Sequence, residues 1–155
     1  MKTNAARLLD QLAIEYQILT YPVDPNNLVA STTADKLGLP HEQVFKTLVV
    51  RGDRHGICLA VLAANAQLNL KALAQLTGDR KVLPVALKEV QPLTGYIRGG
   101  VTALACKKSY PTYVDEWMEA HDQIAVSAGM RGVMLWLSPQ DYIKATQAII
   151  GAIIL

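Results

Sequence analysis

Residues 44–50 read VFKTLVV. The run holds no glycine or proline, and Val44, Thr47, Val49 and Val50 are β-branched, so it predicts a β-strand. Alternate strand residues share a face. Val44, Lys46, Leu48 and Val50 therefore point one way, and Phe45, Thr47 and Val49 the other. Each apolar face carries one polar interruption, Lys46 or Thr47. A lysine among apolar neighbours either guards a strand edge against pairing or sits in a cleft where its charge is used. The strand alone leaves both readings open.

Outward from this strand, RGDRHG (51–56) is a polar turn and 57–63 a second strand, which together predict a hairpin. Upstream, 3–14 has helical apolar spacing and YQILTY (16–21) reads as a strand stopped by Pro22. Residues 22–30 form a long polar loop of the kind that lines sites. Ser31 or Thr32 then caps a helix to Leu37. Downstream, helices are expected over 70–77 and 85–90, the latter closed by Pro92, with a short strand at 81–83. Strands follow from 111, at 123–132 and at 133–137. Ser138-Pro139-Gln140-Asp141 starts a last helix, with Tyr142, Ala145, Ile149 and Ile150 on its apolar side. About seven strands and five helices predict a mixed α/β fold. Its centre is a mostly antiparallel sheet or partial barrel surrounded by helices, in a single domain over 1–155.

The chain has 155 residues, enough to bury about 68–70% of its unfolded surface. Hydrophobic residues make up 51% and charged residues 18%, which describes a globular rather than a disordered chain. A net charge of +2 does not point to a strongly basic nucleic-acid coat and allows a local basic patch. Cys58 and Cys106 lack CxxC spacing, so a reducing cytoplasm is expected. No apolar run reaches the ~18 residues of a membrane span.

No histidine lies at helical spacing from another histidine or a cysteine, so no metal is expected. No dinucleotide or P-loop fingerprint is present, and no cofactor is expected. Gly95, Gly99 and Gly100 cluster within TGYIRGGV, and SAGMRG forms a second Gly-containing turn. These are ordinary turns or anion-binding nests of backbone N–H groups. Cys106, beside Lys107 and Lys108, is an inert thiol or a nucleophile without a neighbouring base. Arg98, Lys107, Lys108 and Arg131 would form a basic rim for phosphates if the loops converge, and Tyr21 and Tyr96 could stack on a base.

VFKTLVV, GYIRGG (95–100), KKSYPTYVD (107–115) and SAGMRG (127–132) occur in this order. Together they resemble the YbaK/EbsC family of free-standing aminoacyl-tRNA deacylases, related to the editing domain of prolyl-tRNA synthetase. The resemblance runs from the first helix to the last and points to the branch that hydrolyses Cys-tRNA(Pro). It implies that Lys46 is the essential pocket lysine and that Gly99 and Gly100 line the acyl site with backbone groups. It implies substrate contacts for Tyr21, Thr47, Tyr96, Thr102, Ser127, Gly129 and Arg131. It also implies attack on the ester by the substrate's own thiol, which accounts for the lack of a Ser-His-Asp or Cys-His set. Aminoacyl-tRNA, tRNA(Pro) above all, is the implied partner, with prolyl-tRNA synthetase a second one. Nothing in the chain signals an oligomeric state.

Four positions depart from the family pattern. Where the family reads GGxSP, this chain has Gly99-Gly100-Val101-Thr102-Ala103. Met134 stands where an acid is common, and Leu28 where a phenylalanine is often found. These changes bear on the choice of acyl group: alanyl-tRNA(Pro), or tRNA binding without turnover, are the alternatives.

Overall fold

A computed structural model describes residues 2–155. Helix α1 (Asn4–Gln11) starts where the Thr3 hydroxyl accepts the Ala6 N–H, and it buries Ala5, Ala6 and Leu9. Strand β1 (Gln17–Thr20) leads through a long loop to α2 (Ala30–Leu37). Neither Ser31 nor Thr32 caps α2. Val29 takes that place, with no side-chain bond.

The hairpin read around VFKTLVV is present. Strand β2 (Phe45–Gly52) pairs antiparallel with β3 (Gly56–Ala63), setting Lys46 opposite Leu62 and Thr47 opposite Val61. Helix α3 (Leu70–Thr77) is capped by Asn69, and β4 (Val82–Pro84) joins the far end of β2, at Val50–Gly52. Helix α4 (Leu87–Thr94) runs through Pro92 instead of stopping before it, and ends where Gly95 turns left-handed.

Strands β5 (Thr112–Asp115), β6 (Ile124–Met130) and β7 (Val133–Leu137) follow. Helix α5 (Pro139–Thr146) begins at the Ser138 cap. It does not reach Ile149 and Ile150. Gln147 adopts φ 54° and reverses the chain, and Ile149–Gly151 becomes strand β8, parallel to β5. The apolar residues expected on a helix face are β-branched isoleucines, which suit a strand equally well.

The eight strands of the described residues lie in two sheets. One has the order β1-β7-β6 and the other β4-β2-β3-β5-β8. A single parallel bridge, Val44 to Ala125, connects them. The expected mixed α/β architecture is therefore present, but its strands divide between two sheets and do not close into a barrel. The main core lies between the sheets and under α1 and α5, with Phe45, Val61, Leu104, Met118, Val126, Leu135 and Tyr142 packed together. No helix among the described residues is long and apolar enough to cross a membrane.

Candidate active site

β2 changes neighbours along its length, and that change opens a cleft. Its start touches β6 at one bridge and its end pairs with β4. Between them lies a cavity of about 430 Å3. Residues 44–49 form its floor. The end of the long loop and the start of α2 form one wall, Pro84–Val90 another, and Gly99, Ser127 and Met134 the third. The loop expected to line a site does so, through Leu28 and Val29.

Lys46 projects from this floor. Its ammonium donates to the carbonyl oxygens of Ala64 (3.2 Å) and Ala66 (2.8 Å), and it has no carboxylate partner among the described residues. An ammonium has three N–H donors. Two are held by the chain after β3, so the third is free for a ligand. Burial pulls the Lys46 pKa below the ordinary lysine value. No histidine, cysteine or carboxylate lines the cleft. The lysine is thus a fixed, partly desolvated positive charge with no neighbouring acid or base.

Thr47 also lines the cleft, although its side chain points to the opposite face of β2. There lies Tyr142, fully buried, whose hydroxyl has no hydrogen-bond partner among the described residues. Burial pushes the Tyr142 pKa above the ordinary tyrosine value, and the neighbouring Thr47 hydroxyl acts in the opposite direction.

The two glycine-bearing segments converge. Arg131 Nε donates to the Arg98 carbonyl at 2.8 Å. A Cβ on Gly100 would lie 3.0 Å from Met130 Cα, so the two backbones touch there because Gly100 has no side chain. The two glycines of the pair differ in role. Gly99 faces the cleft, whereas Gly100 lies behind it with its N–H bonded to the Ile97 carbonyl (2.9 Å). Only the Gly99 N–H has no hydrogen bond within the chain among the described residues.

Ser127 faces the cleft, and its hydroxyl accepts the Gly129 N–H at 3.2 Å, which leaves its own hydrogen to donate elsewhere. Tyr21 faces the cleft from the end of β1, held by its N–H to the Gly132 carbonyl. Tyr96 lies elsewhere: its ring packs beneath Gly129, and its single hydroxyl proton is shared between the Leu104 (2.6 Å) and Ala105 (2.9 Å) carbonyls. Thr102 is fully buried, and its hydroxyl accepts the Leu104 N–H. In this structure both brace the loop from behind and neither reaches the cleft.

Of the four cations near the glycine segments, Arg98 lines the cleft, and Arg131 is bonded to the Arg98 carbonyl without lining the cleft itself. Neither lysine lines the cleft: the Lys107 backbone N–H donates to the Thr94 carbonyl, and Lys108 borders a separate cavity of about 200 Å3. Cys106 lies beside that cavity. Its thiol donates to the Thr102 carbonyl at 3.1 Å, and burial pushes its pKa up to about 11, which describes an inert thiol.

The wall at Pro84–Val90 was not legible as part of a site. Its one sequence signal is apolar residues that the fold leaves in water: Leu87 is 60% exposed and Val29, which also lines the cleft, 52%.

Residues 25–145 match the family model described as the aminoacyl-tRNA editing domain. An Enterococcus faecalis protein provisionally named Cys-tRNA(Pro)/Cys-tRNA(Cys) deacylase EbsC is 38% identical over 145 residues, covering 94% of this chain and 88% of that protein. The multifunctional Ser/Thr-tRNA deacylase ProXp-y of Escherichia coli K12 is 28% identical over 145 residues, covering 90% and 84%. Among solved structures, a hypothetical protein superposes with a TM-score of 0.89 at 22% identity, covering 99% of this chain and all of the other. A protein provisionally described as a trans-editing enzyme for prolyl-tRNA synthetase superposes at 0.84 with 21% identity, covering 100% and 99%. These two structures carry the same fold.

Proposed function

Because the chain belongs to the aminoacyl-tRNA editing domain family, we propose that it is a free-standing deacylase that hydrolyses mischarged Cys-tRNA(Pro) in the cytosol. One observation carries this reading: Lys46 is a partly buried ammonium with a donor to spare, over a cleft lined, among the described residues, by no histidine, cysteine or carboxylate. Such a site can stabilise negative charge, but it holds no histidine or carboxylate to activate a nucleophile. It therefore suits a substrate that brings its own.

A cysteinyl ester does so. Its thiol sulfur bonds to the ester carbonyl carbon, and the bond from that carbon to the ribose oxygen breaks. The thiol proton ends on the ribose hydroxyl, and a cyclic thioester leaves, to be opened later by water. Lys46 stabilises the sulfur anion or the developing oxyanion, and the Gly99 N–H is a second donor directed at the same space. Tyr21, Ser127 and Arg131 orient the acyl group and the tRNA end, with Thr47 on the floor beside them.

The need for such an enzyme follows from binding energetics. A synthetase pocket shaped for proline gains only about 1–3 kcal/mol of discrimination from a missing methylene, so cysteine enters. Hydrolysis by a second protein, acting near prolyl-tRNA synthetase, restores accuracy.

The experiment is hydrolysis of Cys-, Ala-, Ser- and Pro-tRNA(Pro) by the purified protein, with Lys46→Ala alongside. Selective loss of cysteine, reduced at least a hundredfold by the substitution, supports the reading. Equal loss of alanine removes the thiol-assisted step, because alanine has no side-chain nucleophile. No turnover of any ester by the folded protein leaves a tRNA-binding module.

A further inference from the structure

The hydrogen bonds of β2 show which of its backbone groups are free. In an antiparallel pair, successive residues point their N–H and C=O alternately toward the partner strand and away from it. The Val44 carbonyl accepts the Ala64 N–H at 2.7 Å, so Val44, Lys46, Leu48 and Val50 address β3. Phe45, Thr47 and Val49 face outward. The Val49 carbonyl confirms this parity, because it accepts the Val85 N–H at 3.1 Å at the start of the β4 pairing.

On that outward edge β2 bridges β6 only at Val44–Ala125, and it meets the β4 segment only from Val49 onward. Thr47 lies in the gap. On that edge Thr47 pairs with no residue of β6 or β4, and both Thr47 and Lys46 line the cleft. Elsewhere an outward N–H and C=O are answered by the N–H and C=O of one residue on a neighbouring strand.

An aminoacyl ester is one such residue. It carries a donor on the α-ammonium and an acceptor on the ester carbonyl, two bonds apart along the chain. Resting on the deacylase reading above, we propose that the backbone of Thr47 is the aminoacyl subsite. The acyl group takes the place of a missing strand residue there. Its α-ammonium donates to the Thr47 C=O, and its ester carbonyl accepts from the Thr47 N–H. This is strand addition shortened to one residue.

The arrangement has three consequences. Recognition depends on the α-amino group and not on the side chain, so it serves any L-aminoacyl ester. The ester carbonyl is set beside Lys46, where charge develops during attack. The side chain is left to be sorted by the walls, where Leu28 and Met134 stand.

Amide hydrogen exchange tests this without depending on turnover. In the free protein the Thr47 amide should exchange at least tenfold faster than those of Lys46 and Leu48, which bond to β3. Saturating 3′-cysteinylamino-3′-deoxyadenosine, which cannot be hydrolysed as an ester, should slow the Thr47 amide at least tenfold. The analogue lacking the α-amino group should bind at least tenfold more weakly. An unchanged Thr47 amide under saturating ligand, equal affinity for the two ligands, or no binding of either, overturns the assignment. Turnover of Cys-tRNA(Pro) with an unmoved Thr47 amide would remove this subsite and leave the deacylase. Protection of Thr47 without turnover would keep the subsite and remove the deacylase.

Discussion

Arg131 and Arg98, 33 positions apart, are joined by a hydrogen bond from the guanidinium Nε of one to the carbonyl oxygen of the other, 2.8 Å long. This bond fastens the β6–β7 turn to the loop that carries Gly99. Lysine keeps the charge but has no planar donor at the Nε position. Arg131→Lys should therefore lower kcat/KM about tenfold in steady-state deacylation. Its effect on stability should stay within about 1 kcal/mol, because the bond is exposed to solvent.

Gly129 adopts φ +94°, and a Cβ there would meet the Tyr96 ring at 2.8 Å. Gly129→Ala should cost about 1–3 kcal/mol in urea unfolding, from backbone strain and overlap together. In a Tyr96→Ala background the overlap disappears, so the double variant should be less destabilised than the sum of the singles. Strict additivity would show that the ring does not brace the turn.

Lys46 should titrate below the ordinary lysine value of 10.5, because burial disfavours its charged form. The side-chain carbon resonance next to its nitrogen reports this directly. Between the lowered folded value and 10.5 the unfolded chain binds more protons than the folded one, so stability rises with pH across that window. Lys46→Met should remove this contribution to the rise while abolishing deacylation. A midpoint at or above 10.5 would mean that the cleft is wetter than its geometry indicates.

Cys106, with a pKa of about 11, holds almost no thiolate at pH 8. Alkylation by iodoacetamide at that pH should be on the order of 10²-fold slower than for free cysteine. Cys106→Ser should retain full deacylase activity, and loss of activity would bring this thiol back as a nucleophile.

Asp115 is 1% exposed, and its carboxylate accepts the N–H groups of Trp117 and Ile153. It thereby ties the end of β5 to the C-terminal segment. Asp115→Ala strands the buried Ile153 N–H and should cost about 1–3 kcal/mol in chemical denaturation. Asparagine, which keeps one acceptor oxygen, should recover part of that loss.

Local chemistry was legible wherever a neighbour in sequence enforces it. The VFKTLVV strand, its hairpin partner and the Ser138 cap all follow from propensities that act over a few residues, whereas the helix expected to close at Pro92 runs on to Gly95. The last helix was overextended because Ile149 and Ile150 satisfy an apolar helix face as readily as a strand. A left-handed residue at Gln147, which no side chain announces, decides between them.

The sequence by itself determined the strand, the lysine on it, the glycine-bearing turns and the motif order that marks the editing-domain family. Tertiary structure alone decided which of those residues share a site. Lys46 finds the Ala64 and Ala66 carbonyls only because β3 folds back on β2. Gly99 reaches the cleft while Gly100 serves the packing behind it. Tyr96 and Thr102 turn away from the cleft because their hydroxyls are bound within the loop. The open edge at Thr47 exists because β2 leaves one neighbour before it meets the next. Sequence periodicity reports which face a side chain occupies, but it does not report where a pairing partner stops. That depends on contacts between residues far apart in the chain, and those contacts form the cleft.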